Sequence, residues 1–255
     1  MMESSDIVLW DSDLLRCKIT DGIAHITILH QRLPWRLVEE LVSLVDQLSE
    51  RADVRVGLLD SSFPDFSHGA DLSDQALLSA VALDGGLSVA QAGARLVNGL
   101  VSLPFSTIAV IDGYVIGGGA CLAFACDFRI ATPGTRISFP EIDRGMHLSW
   151  DIIPRLMAEC GPGLTRRLTI LGDELYPDDF LPGCFIIMND VRITGGQLAQ
   201  KLASKPATAA RLIKESILCS TSCTSQSRTD AERFRESLQS QEFAAVISSW
   251  LDRQP

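Results

Sequence analysis

The sequence lacks an excess of positive charge: its 255 residues carry 32 Asp plus Glu against 22 Lys plus Arg, a formal net charge of −10. That balance disfavours nucleic acid and membrane surfaces as partners, while leaving room for a local basic pocket. It also lacks paired cysteines. The seven present, Cys17, Cys121, Cys126, Cys160, Cys184, Cys219 and Cys223, are odd in number and form no Cys-x-x-Cys pair or Cys/His cluster at zinc spacing. Reduced thiols in a cytoplasmic protein, with no metal, are the expectation. No apolar run of about 18 residues is present, so no transmembrane helix is expected. Met1 to Asp6 offer neither the basic nor the apolar region of a signal peptide. There is no internal repeat. Apolar residues at 46% and charged residues at 21% exclude a disordered, collagen-like or disulfide-scaffold chain.

What is present is an alternation of strand and helix. Leu15 to Thr20 and Ile23 to Leu29 are short β-rich runs joined by Asp21-Gly22, the pattern of a hairpin. Leu37, Val38, Leu41, Val42, Val45 and Leu48 recur at helical spacing and predict a helix over 35–51. Val54 to Leu59 reads as a buried strand, with a right-handed crossover as the expected connection. Further helices are predicted at 87–102, stopped by Pro104, and at 120–125, opened by Gly117-Gly118-Gly119. Strands are predicted at 107–111, 128–131 and 136–139. Helices at 152–158 and 164–171 flank Gly161-Pro162-Gly163, and further helical segments run from Gln197, interrupted by a Ser/Thr/Cys stretch at 219–227. The order implies an α/β core with a helical C-terminal part.

The glycine triplet follows a strand and precedes a helix, where small residues and free amides suit close packing or the binding of negative charge. It matches neither the P-loop nor the Rossmann spacing. Upstream lies Phe66-Ser67-His68-Gly69-Ala70-Asp71-Leu72; downstream lie Cys126-Asp127 and Phe139-Pro140-Glu141-Ile142, with Gly145 beyond. This ordered set, embedded in a match from about Leu15 to Leu218, resembles the crotonase superfamily of enoyl-CoA hydratases and isomerases. The resemblance implies a spiral of ββα units over 1–190 and a helical region over 191–255 that assembles a homotrimer or hexamer. It implies acyl thioesters as substrates, with coenzyme A or phosphopantetheine as part of the substrate and no separate cofactor. By motif matching, the amides of Ala70 and Gly118 hold the thioester enolate oxygen, an interaction typically worth about 3 kcal/mol per donor. Ser67, His68, Gly69, Asp71, Leu72 and Gly117 are then substrate-binding positions.

The departures bear on the chemistry. Hydratases of this family use two Glu residues; here the first position is Cys121 and only Glu141 stands at the second. One carboxylate suits proton transfer between two carbons, so isomerisation is favoured, with hydration, decarboxylation, thioester hydrolysis and non-catalytic binding left open. Burial would raise the pKa of Glu141; the alternative is a carboxylate paired with Arg136 or Arg144. Cys121 reads as a small buried hydrophobe or a nucleophile. His68 is an acid/base candidate or a plain loop residue. His147 and Asp151 fall at variable active-site positions, Asp151 also as the N-cap of the helix from Ile152. Arg32 is a candidate phosphate contact. Met146-His147-Leu148-Ser149-Trp150 replaces a Gly-rich loop and is expected to narrow or reshape the acyl pocket.

Overall fold

The computed structural model describes residues 6–221 together with Arg235, Leu238, Gln239, Ala244, Ile247, Ser248, Ser249 and Asp252. Most of the Ser/Thr/Cys stretch at 219–227 and of the helical region expected beyond it lies outside these. The elements in chain order are β1 (Ile7–Asp11), β2 (Leu15–Thr20), β3 (Ile23–Ile28), α1 (Trp35–Ser49), β4 (Val56–Ser61), α2 (Gln75–Asp84) and α3 (Leu87–Ser102). Then come β5 (Ser106–Ile111), β6 (Tyr114–Ile116), α4 (Gly118–Ala125), β7 (Phe128–Ala131), β8 (Arg136–Ser138) and α5 (Ile152–Arg166). β9 (Ile186–Ile187), α6 (Val191–Ala203) and α7 (Ala207–Thr221) complete the set.

Seven strands form one sheet in the order β1-β2-β3-β4-β5-β7-β9, antiparallel through β3 and parallel from there on. β6 and β8 make a separate parallel pair. The fold is thus α/β, as the sequence implied. The β2–β3 hairpin turns at Asp21 (φ +51°) and Gly22 (φ +75°), the two successive left-handed residues that a tight two-residue turn demands.

Side-chain alternation splits the sheet between two layers. Val56 and Leu58 of β4 and Ile108 and Val110 of β5 face Val191 and Ala199 of α6. Leu59, Ala109 and Ile111 face the main core with α1, α3 and α4. α6 approaches closely because Gly195 leaves room for Val110; a Cβ there would stand 2.6 Å from Val110 Cγ2.

Two elements carry no readable signal. β1 is exposed or half-exposed along its length, without a buried alternate face. α2, Gln-Ala-Leu-Leu-Ser-Ala-Val-Ala-Leu-Asp, has apolar residues on every side and buries only Leu77. The chain around Gly161 (φ +73°, ψ 167°) breaks α5 as expected, and a π-helical turn, Arg167–Leu171, follows. Among the described residues no single helix is long and apolar enough to cross a membrane.

Candidate active site

Three local arrangements bring the motifs together. First, the loop at 66–71 is stitched to β6 and to the segment before α1. Ser67 N donates to Tyr114 O (3.0 Å) and Ile116 N to Ser67 O (3.0 Å). On the other side Leu33 N donates to Gly69 O (2.8 Å) and Asp71 N to Leu33 O (3.1 Å), which leaves Ala70 pinned between its neighbours. Second, Gly117 (φ +51°, ψ −119°) makes the turn from β6 into α4, a conformation reserved in practice for glycine. Third, Glu141 follows β8 with its carbonyl accepting from Arg144 N (3.0 Å) and Met146 N (2.9 Å). Gly117 N donates to Ser138 O (2.9 Å), which ties this segment to the glycine turn.

The three glycines have separate reasons. A Cβ on Gly117 would stand 2.7 Å from Glu141 Oε1, one on Gly118 2.9 Å from Trp150 Cη2, and one on Gly119 2.5 Å from Ser67 Cβ. Neither the Ala70 nor the Gly118 amide is engaged by an acceptor among the described residues. An amide at the first position of a helix has no intrahelical partner.

Two adjoining cavities meet at Ala70, Leu72, Glu141 and Met146. The inner one, about 150 Å³, is apolar, with Leu33, Val38, Leu77, Val89 and Trp150 on its walls, and it also includes Gly118 and Cys121. Leu238 and Ile247 of the C-terminal segment close it further. The outer one, about 220 Å³, is bounded by Arg32, His68, Gly69, Gly117, Pro140 and Arg144. Glu141 is the one carboxylate that the described residues place on either lining. Its Oε2 is buried without a hydrogen-bond partner among the described residues. Burial pushes its pKa up to about 7, against the opposing pull of a backbone hydrogen bond and of the Arg144 charge.

The structure therefore brings Glu141, Ala70 and Gly118 to one cavity, and His68, Gly69, Leu72 and Gly117 to its outer neighbour. Ser67 and Asp71 line neither. Ser67 is fully buried behind the wall, its hydroxyl accepting from Gly69 N (3.2 Å). Asp71 turns toward Arg32 (3.6 Å) and accepts from Ser73 N (3.1 Å). His68 Nε2 lies 2.8 Å from Asp65 Oδ2, so the ring is held at the edge of the outer cavity. Arg136 is drawn to Glu174 (3.6 Å) and Tyr114 rather than to Glu141. Cys121 is buried on the inner wall.

Asp151 stands at the N-cap position of α5, as expected, but without the expected capping bond. Its φ is +55° and its side chain does not cap α5; the carboxylate accepts from Asn98 Nδ2 (3.0 Å). It lines a separate cavity of about 610 Å³ beside Lys214 and Arg155, away from Glu141. His147 lies outside both active-site linings. Leu33 and Trp35 line the inner cavity without having been singled out from the sequence, and Arg144, named there only as a possible partner of Glu141, lines the outer one. Among the described residues no group of three His, Cys, Asp or Glu side chains is placed to hold a metal ion.

The α/β fold thus puts a buried carboxylate on one cavity wall with two residues, Ala70 and Gly118, whose amides meet no acceptor among the described residues. The enoyl-CoA hydratase/isomerase family profile matches residues 18–255, and the chain belongs to that family. It is 29% identical over 227 residues to a probable enoyl-CoA hydratase of Bacillus subtilis (strain 168), covering 86% of each chain. It is 36% identical over 133 residues to the mitochondrial methylglutaconyl-CoA hydratase of Homo sapiens, an alignment that spans 52% of this chain and 38% of that protein. In structure it resembles an enoyl-CoA hydratase/isomerase from Mycobacterium paratuberculosis with a TM-score of 0.83, covering 93% of this chain and 98% of the other at 15% identity. That last likeness speaks to the fold.

Proposed function

We propose that the chain isomerises enoyl thioesters with Glu141 as the single proton carrier. The observation that carries this reading is the lone carboxylate: Glu141 faces the cavity, while Cys121 occupies the wall where a second acid would be required. With a 3-enoyl thioester, the Glu141 carboxylate takes a proton from C2. The electron pair moves onto the carbonyl oxygen, which the Ala70 and Gly118 amides hold. The carboxylic acid then returns the proton to C4, and the double bond comes to rest between C2 and C3. A pKa near 7 suits both halves of the exchange, since the group gives and takes a proton with similar ease.

The outer cavity lies between Arg32 and Arg144, a fitting approach for a pantetheine arm carrying phosphate at its far end. Exposed Leu212, Ile213 and Ile217 on α7 support a homotrimer or hexamer, since an apolar helix face gains by burial. Light scattering that finds only a 27.7 kDa species at micromolar concentration would overturn the assembly.

Hydration is the second reading, favoured by the names of the relatives. One assay separates the two: 3-enoyl thioester followed by the absorbance of conjugation, and 2-enoyl thioester with water. Faster conjugation supports the isomerase; much faster hydration overturns the one-acid argument and turns attention to His68.

A further inference from the structure

We propose that Trp150, seated on Gly93, determines which acyl chains the site accepts by ending the acyl cavity at about six carbons. The inference rests on the thioester reading above and goes further, to the size of the acyl group.

Three observations carry it. The indole is buried and spans two helices. Its pyrrole edge lies on α3, where a Cβ at Gly93 would stand 1.9 Å from Nε1 and 2.0 Å from Cδ1. Its benzo edge lies on the start of α4, where Cη2 and Cζ3 would be 2.9 and 3.2 Å from a Cβ on Gly118. The ring thus stands between Gly93 of α3 and Gly118 of α4, the residue whose amide is assigned to the thioester oxygen. Glycine inside a helix is unfavourable relative to alanine; at position 93 it makes a socket for this side chain.

The backbone is arranged to hold it there. Trp150 (φ +66°) and Asp151 (φ +55°) are consecutive non-glycine residues in the left-handed region, which bulky side chains rarely adopt. Asn98, also on α3, donates to the Asp151 carboxylate at 3.0 Å. One helix therefore supplies both the socket and the latch.

The consequence is geometric. An acyl chain leaving the carbonyl beside Gly118 cannot pass between α3 and α4. It enters the inner cavity instead, whose volume is about 150 Å³. An apolar cavity of about that size is filled by one benzene, six carbons.

The test is calorimetric binding of saturated acyl-CoAs from butyryl to dodecanoyl, which needs no turnover. The parent is expected to bind hexanoyl-CoA at least about 10-fold more tightly than dodecanoyl-CoA, within the range that misfit methylenes produce. Trp150→Phe should weaken that preference and Trp150→Ala should remove or reverse it. Gly93→Ala, which drives the indole into the cavity, should shift the cutoff to shorter chains. Circular dichroism confirms folding, and the parent profile needs no variant. Affinity that climbs steadily to dodecanoyl in the parent, or an unchanged profile in folded Trp150 variants, overturns the proposal. Failure to bind any acyl-CoA overturns the thioester reading and this proposal with it. A parent that shows the cutoff yet isomerises nothing overturns the isomerase reading and supports this one.

Discussion

Glu141 Oε1 occupies the space that a side chain on Gly117 would need, 2.7 Å from the ideal Cβ position. The glycine turn and the carboxylate are therefore one device: the turn sets the end of β6, and the missing Cβ admits the acid. Gly117→Ala must both adopt φ +51° and displace Glu141. We expect a loss of about 1–3 kcal/mol in stability from the strained backbone. We also expect a fall of about 100-fold or more in isomerisation from the misplaced acid. Thermal melts and initial rates check the two parts separately, and a variant of normal rate would disconnect the turn from the chemistry.

Glu141→Gln keeps the shape and removes the group to which the isomerase proposal assigns the proton. Isomerisation should fall by about 100-fold or more, while the affinity for a saturated acyl-CoA stays near that of the parent. Equal turnover of the 3-enoyl substrate by both proteins would end the proton-shuttle assignment.

The same carboxyl predicts a pH dependence of known sign. On the proton-shuttle proposal the reacting form in the forward direction is the carboxylate, and burial raises the pKa of the group to about 7. kcat/KM should rise about tenfold per unit below that point and level off above it. Stability runs the other way. The folded-state pKa lies above the usual 4.5, so the folded protein holds its proton more tightly than the unfolded chain. The resulting contribution is fully present below pH 4.5 and is lost as pH rises through about 7, at a cost on the order of 3 kcal/mol. Glu141→Gln should flatten this part of a denaturation series.

Cys121→Ala should retain most of the parent activity, because the isomerase proposal gives this buried wall residue no chemical step. Inactivation by this substitution, in a protein that still binds acyl-CoA, would assign the thiol a chemical part.

Lys214 of α7 makes a prediction about stability alone. Its ammonium donates to Asp127 Oδ2 (2.8 Å) and Phe105 O (2.9 Å) under a largely buried surface. Lys214→Met leaves the Asp127 charge behind and should lower stability by about 3 kcal/mol. The double variant with Asp127→Asn should recover part of that loss in chemical denaturation; no recovery would mean that the pair is not coupled.

How much of this was legible depended on the range of the interactions. The hairpin at Asp21-Gly22 and the helix over 87–102 were readable because neighbours in sequence set their geometry. The main site motifs were readable for a related reason: a glycine turn at 117–119 and a Pro-Glu pair at 140–141 keep their spacing whatever surrounds them. β1 and α2 were not, since neither has a buried periodic face of its own. Asp151 misled because a polar residue before a helix normally caps it, whereas here Asn98, 53 positions away, draws the carboxylate off. Ser67 misled in the opposite way, for membership of the right loop did not put its side chain on the cavity.

The sequence by itself determined the α/β class, the acid at 141 and the absence of a second one at 121, because each is a matter of residue type and local order. The tertiary structure alone decided what those residues face. It placed Glu141 against Gly117, leaving the acid buried with its pKa raised, and it placed Trp150 against Gly93, which lies 57 positions earlier in the chain. Desolvation and steric fit are properties of what surrounds a side chain, and contacts between distant segments exist only once the chain is packed.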